Sequence, residues 1–231
     1  MLRLIVIGLL SLFLLLPVVR AETFAVSEIL TADPDGLFSA VIDTKHGFGY
    51  FGTGQPNDFG SGRIVKVDLF SFRVVGSLSL KPGEDNLLAG VIDPDKGYAY
   101  FTTQIVPSHP ATIVKIDLST FTEVGSLTVS DTEFFCLCTA VIDTTHGFAY
   151  FGTSTEPGRV LKMDLSSFRI VDSLTLRQGD VDLTSAVIDT VHGFALFGAF
   201  NDRIVRVDLH SFTEVRSVAL EGAGLGRLAA V

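Results

Sequence analysis

From residue 37 onward, apolar and polar positions alternate in short runs, and none carries the 3.6-residue period of a helix over a useful length. Residues 139–143, 148–153, 159–165 and 170–176 make up one such cycle of four strand-like segments. The first begins with small residues, the second is rich in aromatics, and the fourth alternates Leu or Val with Ser or Thr, as a strand with one wet face does. On the second segment Phe148 and Tyr150 point to one face and Phe151 to the other, because side chains alternate along a strand.

The cycle is written four times. Ala140-Val141-Ile142-Asp143-Thr144-Thr145-His146-Gly147-Phe148-Ala149-Tyr150-Phe151-Gly152-Thr153 has near-copies starting at Ala40, Gly90 and Ala186. The Val-Ile-Asp marker falls at Val41, Val91, Val141 and Val187, spaced 50, 50 and 46 residues apart. An Asp-Leu marker at Asp68, Asp117, Asp164 and Asp208 keeps step with spacings of 49, 47 and 44. Two markers in phase define one supersecondary unit copied four times. Most length differences lie between the second and third segments, where an insertion enters a surface loop.

Turn chemistry separates the segments. Asp-Thr-x-His-Gly, or Asp-Pro-Asp-Lys-Gly in the second copy, joins the first to the second, with a Gly such as Gly147 free to take positive φ. Asp-Leu-x-x-Phe joins the third to the fourth; the Asp is expected to close the turn and Phe72, Phe121, Phe168 and Phe212 to return to the core.

Four antiparallel strands in 44 to 50 residues match the size of a β-propeller blade, about 40–50 residues. The expected fold is therefore all-β: a β-propeller of four-stranded antiparallel blades at about 37–80, 87–129, 137–176 and 183–220. Small residues on the first segment suit the innermost strand, and the aromatics fill the wedge between blades. A β-solenoid is the alternative, but its coils are shorter and lack such hairpins. Residues 23–31 read as a further strand, and Leu228-Ala229-Ala230-Val231 matches the start of a fifth copy. The expectation is an incomplete, open ring, a fragment of a larger propeller; closure with four blades is the tighter option.

The second-segment motifs Tyr50-Phe51-Gly52-Thr53 and Tyr150-Phe151-Gly152-Thr153, with Tyr100-Phe101-Thr102-Thr103 and Leu196-Phe197-Gly198-Ala199, precede third segments ending in Val-Asp-Leu or its equivalent. This pattern resembles the YVTN-type propeller repeats of secreted and cell-surface proteins across residues 37–220. The resemblance implies a propeller fold and a recognition or surface role. It implies little about a ligand, since that family includes surface-layer proteins and adhesins.

The amino terminus carries Arg3, an apolar run over residues 4–16, Pro17 and Val19-Arg20-Ala21. This reads as a signal peptide over residues 1–21, with cleavage after Ala21, rather than as an uncleaved anchor of ~20 apolar residues. The expected location is outside the cell, secreted or at the cell surface, with no membrane span after cleavage. Loss of Arg3 and Arg20 takes the net charge from −9 to −11. Such a surface repels nucleic acid and anionic headgroups and favours a basic partner. Cys136 and Cys138 lie two apart, on one side of a strand. A pair of buried thiols is expected, with a local disulfide as the alternative.

Candidate chemistry is sparse. Loops after the second and fourth segments share one propeller face, and those after the fourth carry Asp33, Asp35, Glu84, Asp85, Asp131, Glu133, Asp180 and Asp182. Asp58, Glu156 and Asp202 add to that rim, with Lys81 and Arg177 diluting it. The rim is a candidate partner-binding face for a basic protein or Ca²⁺; the competing reading is that turns favour Asp and Glu. The calcium-loop pattern is represented only by the fragment Asp33-Pro34-Asp35-Gly36. His46, His146 and His192 hold one hairpin position in three copies and read as turn residues, since equivalent hairpins diverge around a ring. Lys66/Asp68, Lys115/Asp117, Lys162/Asp164 and Arg206/Asp208 could pair along the third strand.

No catalytic, cofactor or metal constellation stands in a singular, non-repeated context, and no cofactor is expected. The reading is an exported, non-enzymatic binding or surface module with an unknown protein or surface ligand as partner. Self-association through open blade edges is a further expectation. The alternative is a propeller hydrolase, lyase or quinoprotein-like dehydrogenase whose site lies in missing blades.

Overall fold

The computed structural model describes residues 36–54, 60–104, 110–129 and 136–220. The expected leader at 1–21, the strand at 23–31 and the start of a fifth copy at 228–231 lie outside the described residues.

Among the described residues sixteen strands form four separate four-stranded sheets, each an antiparallel meander of consecutive strands. Blade 1 comprises β1 (Gly36–Asp43), β2 (Phe48–Gly54), β3 (Arg63–Asp68) and β4 (Arg73–Ser79). Blade 2 comprises β5 (Ala89–Asp93), β6 (Tyr98–Thr102), β7 (Thr112–Asp117) and β8 (Thr122–Thr128). Blade 3 comprises β9 (Leu137–Asp143), β10 (Phe148–Thr153), β11 (Arg159–Asp164) and β12 (Arg169–Thr175). Blade 4 comprises β13 (Leu183–Asp189), β14 (Phe194–Ala199), β15 (Arg203–Asp208) and β16 (Thr213–Ala219). The innermost strands pack in succession, β1 on β5, β5 on β9 and β9 on β13; among the described residues no comparable packing joins β13 back to β1. The fold is a four-bladed β-propeller arrangement, as the repeat arithmetic predicts.

Register explains the repeated residues. In blade 1 a cross-strand row runs Val41–Tyr50–Lys66–Gly76, and the adjacent row runs Ala40–Phe51–Val65–Ser77. Neighbouring rows face opposite sides of a pleated sheet, so the first looks toward the following blade and the second toward the preceding one. The hydrophobic core is accordingly three separate seams. The first joins Tyr50 and Ile64 of blade 1 to Ala99, Phe101, Val114 and Ile116 of blade 2. The second joins Tyr100 and Ile113 to Ala149, Phe151, Leu161 and Met163. The third joins Tyr150 and Val160 to Ala195, Phe197, Val205 and Val207.

Each seam is locked by one aromatic knob. Phe121, Phe168 and Phe212 lie with ring centroids 5.9, 6.0 and 6.0 Å from Tyr50, Tyr100 and Tyr150 of the preceding blade. Gly76 and Gly125, at the end of the first row, make room: a Cβ there would come within 3.0 Å of the Phe121 and Phe168 rings. The knob residue of every blade, Phe72 included, has φ between 49° and 52°, where a side chain is rarely accommodated.

Phe72 departs from the expectation of a core phenylalanine. It is 83% exposed, because among the described residues no tyrosine of a preceding blade faces it. The two cysteines also depart from the expected buried thiols. Cys136 and Cys138 are joined in a disulfide across a Cα separation of 5.4 Å, and both are half-buried. Residues two apart on an extended strand project to the same side, which is what brings the two sulfurs together.

Candidate functional site

Three regions of the described blades could carry function: the axis where the innermost strands meet, the edge formed by the β1–β2-type hairpins, and the opposite edge with its acidic loops.

At the axis, the Val-Ile pairs at 41–42, 91–92, 141–142 and 187–188 from all four blades, together with Gly90, line a cleft of about 410 Å³. The marker that defines the repeat is thus the lining of the axial cleft. Its side chains are aliphatic and offer nothing that could hold or move a proton.

At the hairpin edge an Asp organises each turn, buried in the first three blades and half-buried in the fourth. Asp43 accepts the His46 amide at 3.0 Å through Oδ1 and faces His46 Nδ1 at 2.8 Å through Oδ2, while Gly47 donates to the Asp43 carbonyl at 2.9 Å. Asp143/His146 and Asp189/His192 repeat the arrangement, each with 2.7 Å between Nδ1 and Oδ2. In blade 2, Lys96 replaces the histidine and its Nζ stands 4.0 Å from Asp93 Oδ2, an oxygen that makes no hydrogen bond. Lys45 Nζ reaches Asp95 Oδ1 at 2.9 Å and ties adjacent hairpins. The histidines act as turn residues, as expected.

The lysine and aspartate of the third strand have different partners from those expected. Lys66 Nζ lies 3.9 Å from the Phe48 ring centroid and 5.6 Å from both Tyr50 and Phe121, so the ammonium caps the aromatic seam. Lys115 and Lys162 do the same over Tyr98 and Phe148 at 4.0 and 4.1 Å, and Arg206 stands 4.2 Å over Phe194. Burial is the main cause of a lowered Lys115 pKa.

The aspartates close the β3–β4-type turns instead. Asp68 Oδ1 accepts from the Phe70 and Ser71 amides at 3.1 and 2.7 Å and from the Ser71 hydroxyl at 2.8 Å. The Ser167 amide, followed by the Ser166 and Ser167 hydroxyls, holds Asp164 down to about 2. Asp68 and Asp208 are lowered chiefly by the Ser71 and Ser211 amides, and Asp117 chiefly by the Ser119 hydroxyl.

The acidic edge is not the open rim that the sequence suggests. Glu84 and Asp85 are 5% exposed and Asp180 is 1% exposed. Their oxygens serve the connections between blades. Glu84 Oε2 accepts from the Lys81 amide at 3.2 Å, Asp85 Oδ1 from the Asn86 amide at 2.7 Å, and the Glu84 carbonyl from Gly62 at 2.8 Å. Asp180 Oδ1 accepts from Arg203 Nε at 2.5 Å and from the Ser217 hydroxyl at 2.7 Å. Asp182 is half-buried, with φ of 46°. Asp33, Asp35, Asp58, Asp131 and Glu133 lie outside the described residues. Lys81 and Arg177, read from sequence as diluting the rim, reach across to Glu123 and Glu214 of the next blade. Burial and then Glu84 push the Glu123 carboxyl up, against the pull of Lys81. Among the described residues no group of three or more His, Cys, Asp or Glu is placed to hold a metal.

Sequence reading missed the role of the motif threonine. Thr53, Thr103 and Thr153 are buried and accept from the amides of Arg63, Thr112 and Arg159 at 3.0, 2.9 and 2.9 Å, pinning the start of the third strand. Its recurrence at the end of every second segment but the last was the available signal.

These partners set a pH window. Burial is the first cause raising Tyr50 and Tyr150 to about 12, and Tyr100 is raised as well. A raised phenol contributes stability in full below its unfolded value near 10, and loses it as pH climbs through the folded value. The lowered turn aspartates contribute above about pH 4 and lose that contribution as pH falls toward 2. The urea midpoint is therefore expected to be flat between about pH 5 and 9 and to fall on both sides. Tyr100→Phe should make the alkaline limb shallower, with Tyr50 and Tyr150 still contributing, and leave the acid limb unchanged.

The chain matches no protein-family model and no curated protein. In shape it matches 1078 chains of solved structures, one of them titled Kuenenia stuttgartiensis hydrazine synthase, with a TM-score of 0.65 and 14% identity. The match covers 85% of this chain and 53% of that one, so this chain spans about half the length of the neighbour. At that identity the likeness shows the propeller fold alone. Among the described residues no helix is long and apolar enough to cross a membrane.

Proposed function

We propose that this chain is an exported, non-enzymatic propeller of the YVTN type, acting as a recognition or cell-surface module toward a protein or surface ligand, with a basic one favoured by its net charge of −9. The carrying observation is the axial cleft lined by Val-Ile pairs from all four blades. Propeller enzymes of the kind considered above would need polar groups at the axis, and here that position is aliphatic. The repeated Asp, His and Ser residues support the same reading, being committed at matching atoms to their own turns. The leader-like residues 1–21 support export.

Fractionation of the producing cell with amino-terminal sequencing tests the reading. A protein in the secreted or surface fraction beginning at Glu22 and released from the surface by about 0.5 M salt is expected, because a Debye length of ~4–5 Å leaves little of an exposed charge contact. An intracellular chain that keeps Met1 overturns export, and salt-insensitive retention overturns the basic partner. The alternative, a propeller enzyme whose site lies in further blades, draws on the neighbour's title, which names a synthase. It requires a turnover that appears only with blades beyond these four.

A further inference from the structure

Every internal seam has two halves. The leading half is the face of a blade that turns to its predecessor: the knob phenylalanine, the leucine after the turn aspartate, and the row of β2-type alanine and phenylalanine. The following half is the innermost valine, the second-strand tyrosine and the cation above it. Blades 2 and 3 use both halves, whereas among the described residues blades 1 and 4 each leave one uncovered.

On blade 1 the leading half is bare. Leu69 is 37% exposed and Phe72 83%, whereas their equivalents Leu118 and Leu165 are buried and Phe121 and Phe168 are packed on tyrosines. Ile42 and Val74 join the same face and are exposed. On blade 4 the following half is bare. Val187 is 49% exposed where Val91 and Val141 are buried, and Leu196 is half-buried where Tyr50, Tyr100 and Tyr150 are fully buried. Arg206 stands over Phe194 as Lys66 stands over Phe48, but among the described residues no knob of a next blade lies beneath it.

We propose that a second copy of this chain docks head to tail on these two faces, with Phe72 of one copy seated beside Leu196, under Arg206, of the other. Three observations select this occupant. The chain already builds this seam three times within itself, so the contact continues an established interface. Both halves are present on one polypeptide, one at each end of the arc, which is the requirement for a heterologous contact between identical copies. The chain also spans 53% of the matched propeller chain, so two copies supply about the length of one. Closing both seams gives a ring of eight blades, within the usual range of about 4–8. Leu196 in place of the tyrosine leaves space for the knob, and the guanidinium of Arg206 can stack on its ring.

Light scattering on the full chain, with Phe72→Glu and Val187→Glu variants, tests this. Both positions face solvent in the single chain, so each variant should keep its melting temperature when diluted to single chains. The parent is expected at the mass of two chains at about 10 µM, and either variant at the mass of one, a weakening of at least roughly 100-fold, because each of the two seams then buries an unpaired charge. Mixing the two variants at about 100 µM should restore a two-chain species held by one seam, because the intact blade 1 face of one fits the intact blade 4 face of the other, while the second seam, which carries both substitutions, stays open. A parent of single-chain mass at about 100 µM overturns the proposal, including the case in which further blades of the same polypeptide cover both faces. A two-chain species that resists either variant, or a mixture that stays at single-chain mass, overturns it too. None of these outcomes depends on the recognition role proposed above.

Discussion

Phe121→Ala is expected to lower the stability of the chain by about 3 kcal/mol, and Phe72→Ala to change it by less than about 0.5 kcal/mol. The two residues occupy the same place in their repeats, have the same φ of 51°, and follow the same Asp-Leu-x-x turn. They differ in what lies opposite. The Phe121 ring is 5.9 Å from buried Tyr50, over Gly76 and beneath Lys66, so its removal opens a cavity in the first seam and uncaps an ammonium. Phe72 faces solvent. In a domain of this size each kcal/mol moves the melting temperature by ~2–4 °C, so Phe121→Ala should melt about 6–12 °C lower. The measurement belongs at sub-micromolar concentration, where single chains are compared. Left-handed backbone costs a phenylalanine roughly 1–2 kcal/mol, and at Phe72 no seam offsets it. Phe72→Gly should therefore raise stability by up to about 1 kcal/mol. Equal losses from Phe121→Ala and Phe72→Ala would refute the seam as the unit of stability.

Gly152→Ala should cost about 2 kcal/mol and Gly198→Ala well under 1 kcal/mol. A Cβ on Gly152 would come to 2.7 Å from Thr139 Cγ2 and 2.8 Å from Leu183 Cβ, the latter in the first strand of blade 4. Leu183 Cβ is fixed to its backbone, so the clash is relieved only by moving one blade from the other. Gly52 stands in the same relation to Leu87. On Gly198 the new methyl would meet only Ser185 of its own blade, whose hydroxyl can rotate away, and in the single chain no described residue of another blade comes closer to it than 3.9 Å. In blade 2 the position is Thr102, whose hydroxyl donates to the Leu137 carbonyl of blade 3 at 2.7 Å, so a larger residue is accommodated by a hydrogen bond across the seam. Chemical denaturation of the two alanine variants reads the difference. A loss at Gly198 matching that at Gly152 would mean that the glycines serve strand geometry rather than blade approach.

The candidate site was less legible than the fold. Asp43-Thr44-Lys45-His46-Gly47 reads as a hairpin because its partners lie within five residues, and the turn closes as read. Lys66 and Asp68 were misread because spacing along a strand says which side a group leaves from but not what waits there. The waiting groups, Phe48 and Phe121 for one and the Ser71 amide for the other, come from a neighbouring strand, a neighbouring blade and the next turn. Glu84, Asp85 and Asp180 were misplaced for a similar reason. A carboxylate in a loop looks solvated until the loop is seen to carry the connection into the next blade, where Arg203 and the Ser217 hydroxyl reach Asp180.

By itself the sequence determined the strands, the turns between them and the fourfold copying, because alternation, Asp-closed turns and a repeat length are local properties that each unit satisfies alone. Tertiary structure decided which copies of one residue are core and which are surface. Phe121 and Phe72 are identical in their repeats, and what differs is that Tyr50 of the preceding blade covers one ring while no described residue covers the other.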